Sequence, residues 1–187
     1  MLLAISGVTG VGKTYYKNLI SEKLGYKKVH TIRTRKKRIN EKNNEEGYFL
    51  SKEELDNLEK ENKIAYRVKL FEGEYAYLKD EIFSSDNMVF EMHYTMIDDF
   101  KKIKKDMKTI YLLPDDINKA IENLKKRNME TTKQEYRINE LMEQYNKFTK
   151  DKNLRKKFDY ILLNNYDKNS EEEILSIAKE VMLKKDK

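Results

Sequence analysis

Cysteine is absent from this 187-residue chain, proline occurs once and histidine twice. Without thiols there is no disulfide scaffold, no thiolate zinc site and no cysteine nucleophile, and only His30 and His93 remain to ligate a transition metal. One proline and 6 glycines exclude collagen-like repeats and proline-rich linkers. No run of about 18 apolar residues occurs, so a spanning helix is not expected. No leader with a small-residue cleavage site is evident either, and the expected compartment is the cytoplasm. Apolar residues make up 39%, no more than the charged 39%, and mean hydropathy is -0.90. That composition predicts a slim core inside a charged shell, in one domain of ordinary size.

Charge is what the chain has in excess. Lys+Arg 39 against Asp+Glu 33 gives a net +6, which suits nucleic acid, an anionic surface or phosphorylated small molecules. The apolar runs alternate between strand and helix lengths, the pattern of a three-layer α/β domain with a mostly parallel sheet. Strands are predicted over 1–6, 27–31, 64–71, 88–93, 109–113 and 160–163, and a turn over 72–77. Helices are predicted over 13–24, over 51–62 behind a Ser51/Glu54 capping box, from Asp115 to Lys126, and through Ile138, Leu141, Met142 and Tyr145 after a lapse at 127–132. A second capping box, Ser170 with Glu173, is expected to open the C-terminal helix.

The chemistry concentrates in Gly7-Val-Thr-Gly10-Val11-Gly12-Lys13-Thr14, which matches the phosphate-loop pattern G-x-x-x-x-G-K-[ST] between a predicted strand and a predicted helix. Glycines let successive N–H groups turn inward around a polyphosphate, and the helix N-terminus adds favourable partial charge. Lys13 is expected to reach the transferring phosphates and Thr14 to ligate Mg²⁺. A GTPase would carry Asp-x-x-Gly and Asn-Lys-x-Asp, and neither string occurs. Small size, a basic loop at 33–46 and an arginine near 127 favour a kinase acting on a small phosphorylated acceptor.

With these residues in view the chain resembles the guanylate kinase family over nearly its whole length. His30-Thr-Ile-Arg33 is similar to the family's Ser/Thr-Thr-Arg segment, and Tyr48-Phe-Leu-Ser51 with Lys52-Glu-Glu-Leu55 to its Phe-Val-Ser-x-x-Glu-Phe helix entry. Phe71-Glu-Gly73-Glu-Tyr75 resembles the turn before its acceptor-contacting Tyr and Gly, and Arg127 and Arg137 fit its lid arginines. Asn164, at the close of the last strand, stands where the family has an Asn beside the donor adenine. Several positions depart: Arg67 and His93 fall where the family reads guanine with acidic side chains, Val29 where it has a Ser at the acceptor phosphate, and Gly47, unless a gap brings in Tyr48, where it has a Tyr.

The resemblance implies a phosphate-loop fold with an acceptor-binding subdomain over about 33–85, a lid over about 127–137 and a core of 1–32 and 86–187. It implies transfer of the ATP γ-phosphoryl group to GMP, dGMP or a related monophosphate, with Mg²⁺. ATP is assigned to Gly7, Gly10, Val11, Gly12, Lys13, Thr14 and Asn164. Arg33, Lys36, Tyr75, Tyr77 and Glu91 are assigned to the acceptor, Thr14 and Glu91 to the metal, and Lys13, Arg33, Arg127 and Arg137 to catalysis. The expected partners are small nucleotides, not membrane or nucleic acid, and the protein is expected to act as a monomer or homodimer. The alternative is a catalytically weak module of the same family that binds nucleotide or a phosphorylated partner.

Overall fold

The computed structural model describes residues 1–37, 47–70, 73–127 and 129–184. In chain order the elements begin β1 (Leu2–Gly7), α1 (Lys13–Leu24), β2 (Lys27–Lys28), β3 (Ile32–Arg33), β4 (Tyr48–Phe49) and α2 (Lys52–Lys60). They continue with β5 (Ile64–Leu70), β6 (Gly73–Leu78), α3 (Lys79–Ile82), β7 (Met88–Glu91), a 3₁₀ turn (Tyr94–Met96) and α4 (Ile97–Ile103). The last are β8 (Lys108–Pro114), α5 (Ile117–Lys125), α6 (Thr131–Lys150), α7 (Lys152–Arg155), β9 (Tyr160–Asn164) and α8 (Lys168–Leu183).

Five strands form a parallel sheet in the order β2-β7-β1-β8-β9. Central β1 is buried at every residue, which explains why its sequence is continuously apolar instead of alternating. Helices cover both faces, α1 packing against α8 and α5 against α6. The register sets Ile5 beside Glu91 and Gly7 beside Leu112, so the carboxyl ends of β1, β7 and β8 open at one rim. That rim is where open α/β sheets bind their ligands. Four strands make a second sheet, β4-β3-β6-β5, whose small core is Ile32, Leu55 and Ala76. Among the described residues no helix is long and apolar enough to cross a membrane.

Several boundaries differ from the sequence reading. The strand expected over 27–31 divides between the sheets: Val29 N–H still bonds Val89, but His30 N–H turns to the Glu81 carboxylate at 2.8 Å and Ile32 pairs in the second sheet. The expected turn at 72–77 is largely strand, because the backbone of Gly73–Leu78 pairs with β3 on one side and β5 on the other. Residues 71–72, and 38–46 of the basic loop, lie outside the described residues. Asp116, not Asp115, caps α5, since Asp115 N–H still bonds Asn164 across the sheet end. The C-terminal helix starts earlier than its expected capping box, with Asp167 as the cap accepting from Ser170 N–H. The Ser51/Glu54 box is present as expected, with both reciprocal bonds.

Candidate active site

The loop after β1 is shaped by its glycines. At Gly12, the N-cap of α1, φ is 90°, a left-handed conformation that costs glycine little, and a Cβ on Gly7 would stand 2.5 Å from the Leu112 carbonyl oxygen. Asn164, only 1% exposed, braces the loop from behind. Its Nδ2 donates to the Val11 carbonyl at 2.9 Å, and its Oδ1 accepts from Tyr16 Oη at 2.6 Å and from Tyr166 N–H at 2.8 Å. Both polar atoms of the side chain thus take part in bracing the loop.

Lys13 Nζ donates to the Gly7 and Val8 carbonyls at 3.0 and 2.8 Å. Burial lowers its pKa to about 8; Glu91 and Glu140 oppose that shift, while Arg127 and Arg137 add to it. All four charges thus converge on the loop lysine. Thr14 Oγ1 donates to Glu91 Oε2 at 3.2 Å, and Glu91 Oε1 meets Lys17 Nζ at 2.9 Å. Although burial opposes ionisation, Lys17, Lys13 and the Thr14 hydroxyl together hold the Glu91 carboxyl below its usual range.

One cleft of about 380 Å³ joins these groups to the second sheet. It is lined by Gly7, Gly10, Gly12, Lys13 and Thr14, by Arg33, Tyr75, Tyr77, Glu91 and His93, and by Arg127 and Arg137. Arg33 comes from β3, with its guanidinium 5.7 Å from the Phe49 ring centroid. Tyr77 packs edge-on against Phe90 and Phe100, and burial pushes its phenol pKa up. Arg137 reaches in from α6, paired with Glu140 at 2.7 Å. His93 is kept neutral, its pKa lowered to about 4 by burial first and then by Lys13 and Lys147.

Lys36 is exposed and does not line the cleft, nor do Val11 and Asn164, which stay behind the loop. Arg67 is also elsewhere, held by Asp56, Glu59 and Glu74 at 2.5 to 2.7 Å. Three participants escaped the sequence reading. Lys17 was detectable in principle, since it follows Thr14 by three residues and Lys13 by four and so shares their helix face. Glu140 and Gln144 were not. Gln144 Oε1 accepts from Thr9 N–H at 2.8 Å and its Nε2 donates to Glu140 at 3.3 Å, a chain from loop to Arg137 that exists only after α6 has packed.

Because Lys13 titrates near 8 and a bound triphosphate would favour its ammonium form, nucleotide binding should take up protons above about pH 8 and none below about pH 7. Calorimetry in buffers of different ionisation enthalpy measures this. Uptake that is equal at both pH values would remove Lys13 from the phosphate site.

The guanylate kinase family model matches residues 1–184. A guanylate kinase of Mycoplasma mobile is 30% identical, covering 95% of this chain and 92% of its own length. Another, from Wolbachia pipientis wMel, is 29% identical over 99% of this chain and 92% of its own. The crystal structure of guanylate kinase from Anaplasma phagocytophilum shares the fold at a TM-score of 0.66 and 15% identity, covering 98% of this chain and 85% of that one. A phosphate loop at the rim of a parallel sheet, together with matches along the full chain, means that the protein belongs to the guanylate kinase family of nucleotide-binding kinases.

Proposed function

We propose that the protein transfers the γ-phosphoryl group of ATP to a nucleoside or deoxynucleoside monophosphate in the cytoplasm, giving ADP and the diphosphate. The observation that carries this reading is one cleft holding a phosphate loop on one wall and, facing it from other elements, Arg33, Tyr75, Arg127 and Arg137. Two anionic groups brought together there would have their mutual repulsion offset by cations from three parts of the chain. Phosphoryl transfer asks for little else beyond alignment and charge neutralisation.

In this reading the second sheet, within about 33–85, is the acceptor-binding subdomain, and the segment around 127–137 is the lid. Gly7, Gly10, Gly12 and Lys13 hold the ATP phosphates. Arg33 grips the acceptor phosphate with a planar fork suited to two oxygens, and Tyr75 and Tyr77 flank it. Arg127 and Arg137 neutralise charge on the migrating group. Neutral His93 gives no charge to either phosphate, and Lys36, exposed and off the cleft wall, would reach the acceptor only by extending from the chain beyond Arg33.

The Thr14 hydroxyl and the Glu91 carboxylate fit Mg²⁺, being hard oxygen donors 3.2 Å apart beside the loop. When bound, the ion would supply positive charge beside the phosphates. Thr14 would ligate it and Glu91 would orient its water.

The test is ADP release from MgATP across ribo- and deoxyribonucleoside monophosphates, starting with GMP and dGMP. The panel must extend to other bases because Glu74 is paired with Arg67 and Glu91 with Lys17, which leaves less of either carboxylate for guanine N–H groups. Those commitments favour the second reading, a nucleotide-binding module with weak catalysis. Silence across the panel with ATP still bound would select it. Arg33→Ala should raise the acceptor KM and lower kcat, together about 10²-fold in kcat/KM, with ATP affinity nearly unchanged. Equal weakening of ATP would show that Arg33 serves the donor instead.

A further inference from the structure

Lys17 is a buried charge with no part in the reaction as proposed. It stands beside Tyr16, Leu19 and Ile20 among the buried residues of α1, a setting that disfavours a charge, and its own side chain is 8% exposed. Its Nζ meets Glu91 Oε1 at 2.9 Å, while Glu91 Oε2 accepts from Thr14 at 3.2 Å. Lys13 is a second cation that acts on that carboxylate. Were Lys17 absent, Lys13 would be an ammonium left to answer Glu91, whose side chain is 23% exposed, so that solvent would screen only part of the attraction.

We infer that Lys17 is a positioning residue: by occupying one oxygen of Glu91 it keeps the other beside Thr14 and prevents the carboxylate from drawing Lys13 away from the nucleotide phosphates. The trio of Lys13, Lys17 and Glu91 then presents a net single positive charge to the triphosphate. Glu91 can serve the metal side of the site without disabling the loop lysine. The inference rests on the cleft being a nucleotide site, and its test separates the two ideas.

Calorimetry should compare MgATP and metal-free ATP binding to the wild type, Lys17→Met, Glu91→Gln and the double variant, with a thermal melt of each. Methionine keeps the length and apolar volume of the lysine stem. The expected result is a loss of about 10- to 100-fold in MgATP affinity for Lys17→Met, the range seen when supports of metal ligands are removed. Metal-free ATP should weaken as well, since Lys13 would be diverted. The double variant should bind within about twofold of Glu91→Gln alone, because Lys17 has nothing to restrain once the carboxylate is gone.

Wild-type affinity in Lys17→Met would overturn the inference. So would a double variant that loses the full factor of both single changes, which is what a purely structural lysine would give. If Lys17→Met does not fold, the comparison of the double variant with Glu91→Gln decides alone, since it leaves no unpaired buried charge. A wild-type protein that binds no ATP would fail the nucleotide-site reading itself.

Discussion

Lys13→Ala should lower kcat by about 10²- to 10³-fold while the protein stays folded. The ammonium donates to two carbonyls of its own loop and its pKa is already lowered by burial to about 8, so the folded chain gains little from the charge. A bound triphosphate, in contrast, would gain a cation at the point where negative charge moves. The effect should therefore fall on the chemical step more than on ATP affinity. Single-turnover kinetics beside a thermal melt separates the two, and a variant with wild-type turnover would mean that the cleft binds nucleotide without using this lysine.

Asn164→Ala should do the reverse, losing stability before activity. It leaves the Val11 carbonyl, the Tyr16 hydroxyl and the Tyr166 N–H without the partners they have now, in a region where Val11 and Tyr16 are buried. Orphaned buried groups of this kind cost about 1–3 kcal/mol each, and a net loss of about 3 kcal/mol is expected after relaxation. For a chain of this size that lowers Tm by about 6–12 °C. ATP affinity measured well below the transition should fall only modestly. A large loss of ATP affinity with an unchanged melt would restore Asn164 to the nucleotide contact that its sequence position suggests.

The two variants probe opposite sides of one loop. Lys13 faces the cleft and is expected to act on the ligand, whereas Asn164 faces the core and fixes the backbone that the ligand would meet. Their neighbours are related in the same way, with Arg137 turned toward the cleft and Gln144 tying α6 to Thr9.

The central sheet could be read from the sequence because buried parallel strands are continuous apolar runs, and β1, β7, β8 and β9 all lie within predicted strands or differ from them by a residue or two. The phosphate loop was equally legible. Its function depends on glycine conformations and on a strand-to-helix transition, both local. Legibility fell where structure depended on distant partners: β6 is strand because β3 and β5 flank it, and its Gly-Glu-Tyr sequence alone resembled a turn. The strand expected over 27–31 holds only the two residues of β2, and β3 at Ile32–Arg33 fell where an irregular loop was expected, since its partners in the second sheet are distant in sequence.

The sequence by itself determined a phosphate loop on a parallel α/β core, a surplus of basic side chains, and the absence of thiol chemistry. The tertiary structure decided which charges are available. It committed Arg67 to three carboxylates, hid Asn164 behind the loop, left Lys36 in solvent and gave Glu91 the partner Lys17. The physical reason is range: backbone conformation and helix periodicity follow from neighbours a few residues apart. Whether a charge meets a ligand or a counterion depends on which distant side chain lies within about 3 Å, and only packing sets that distance.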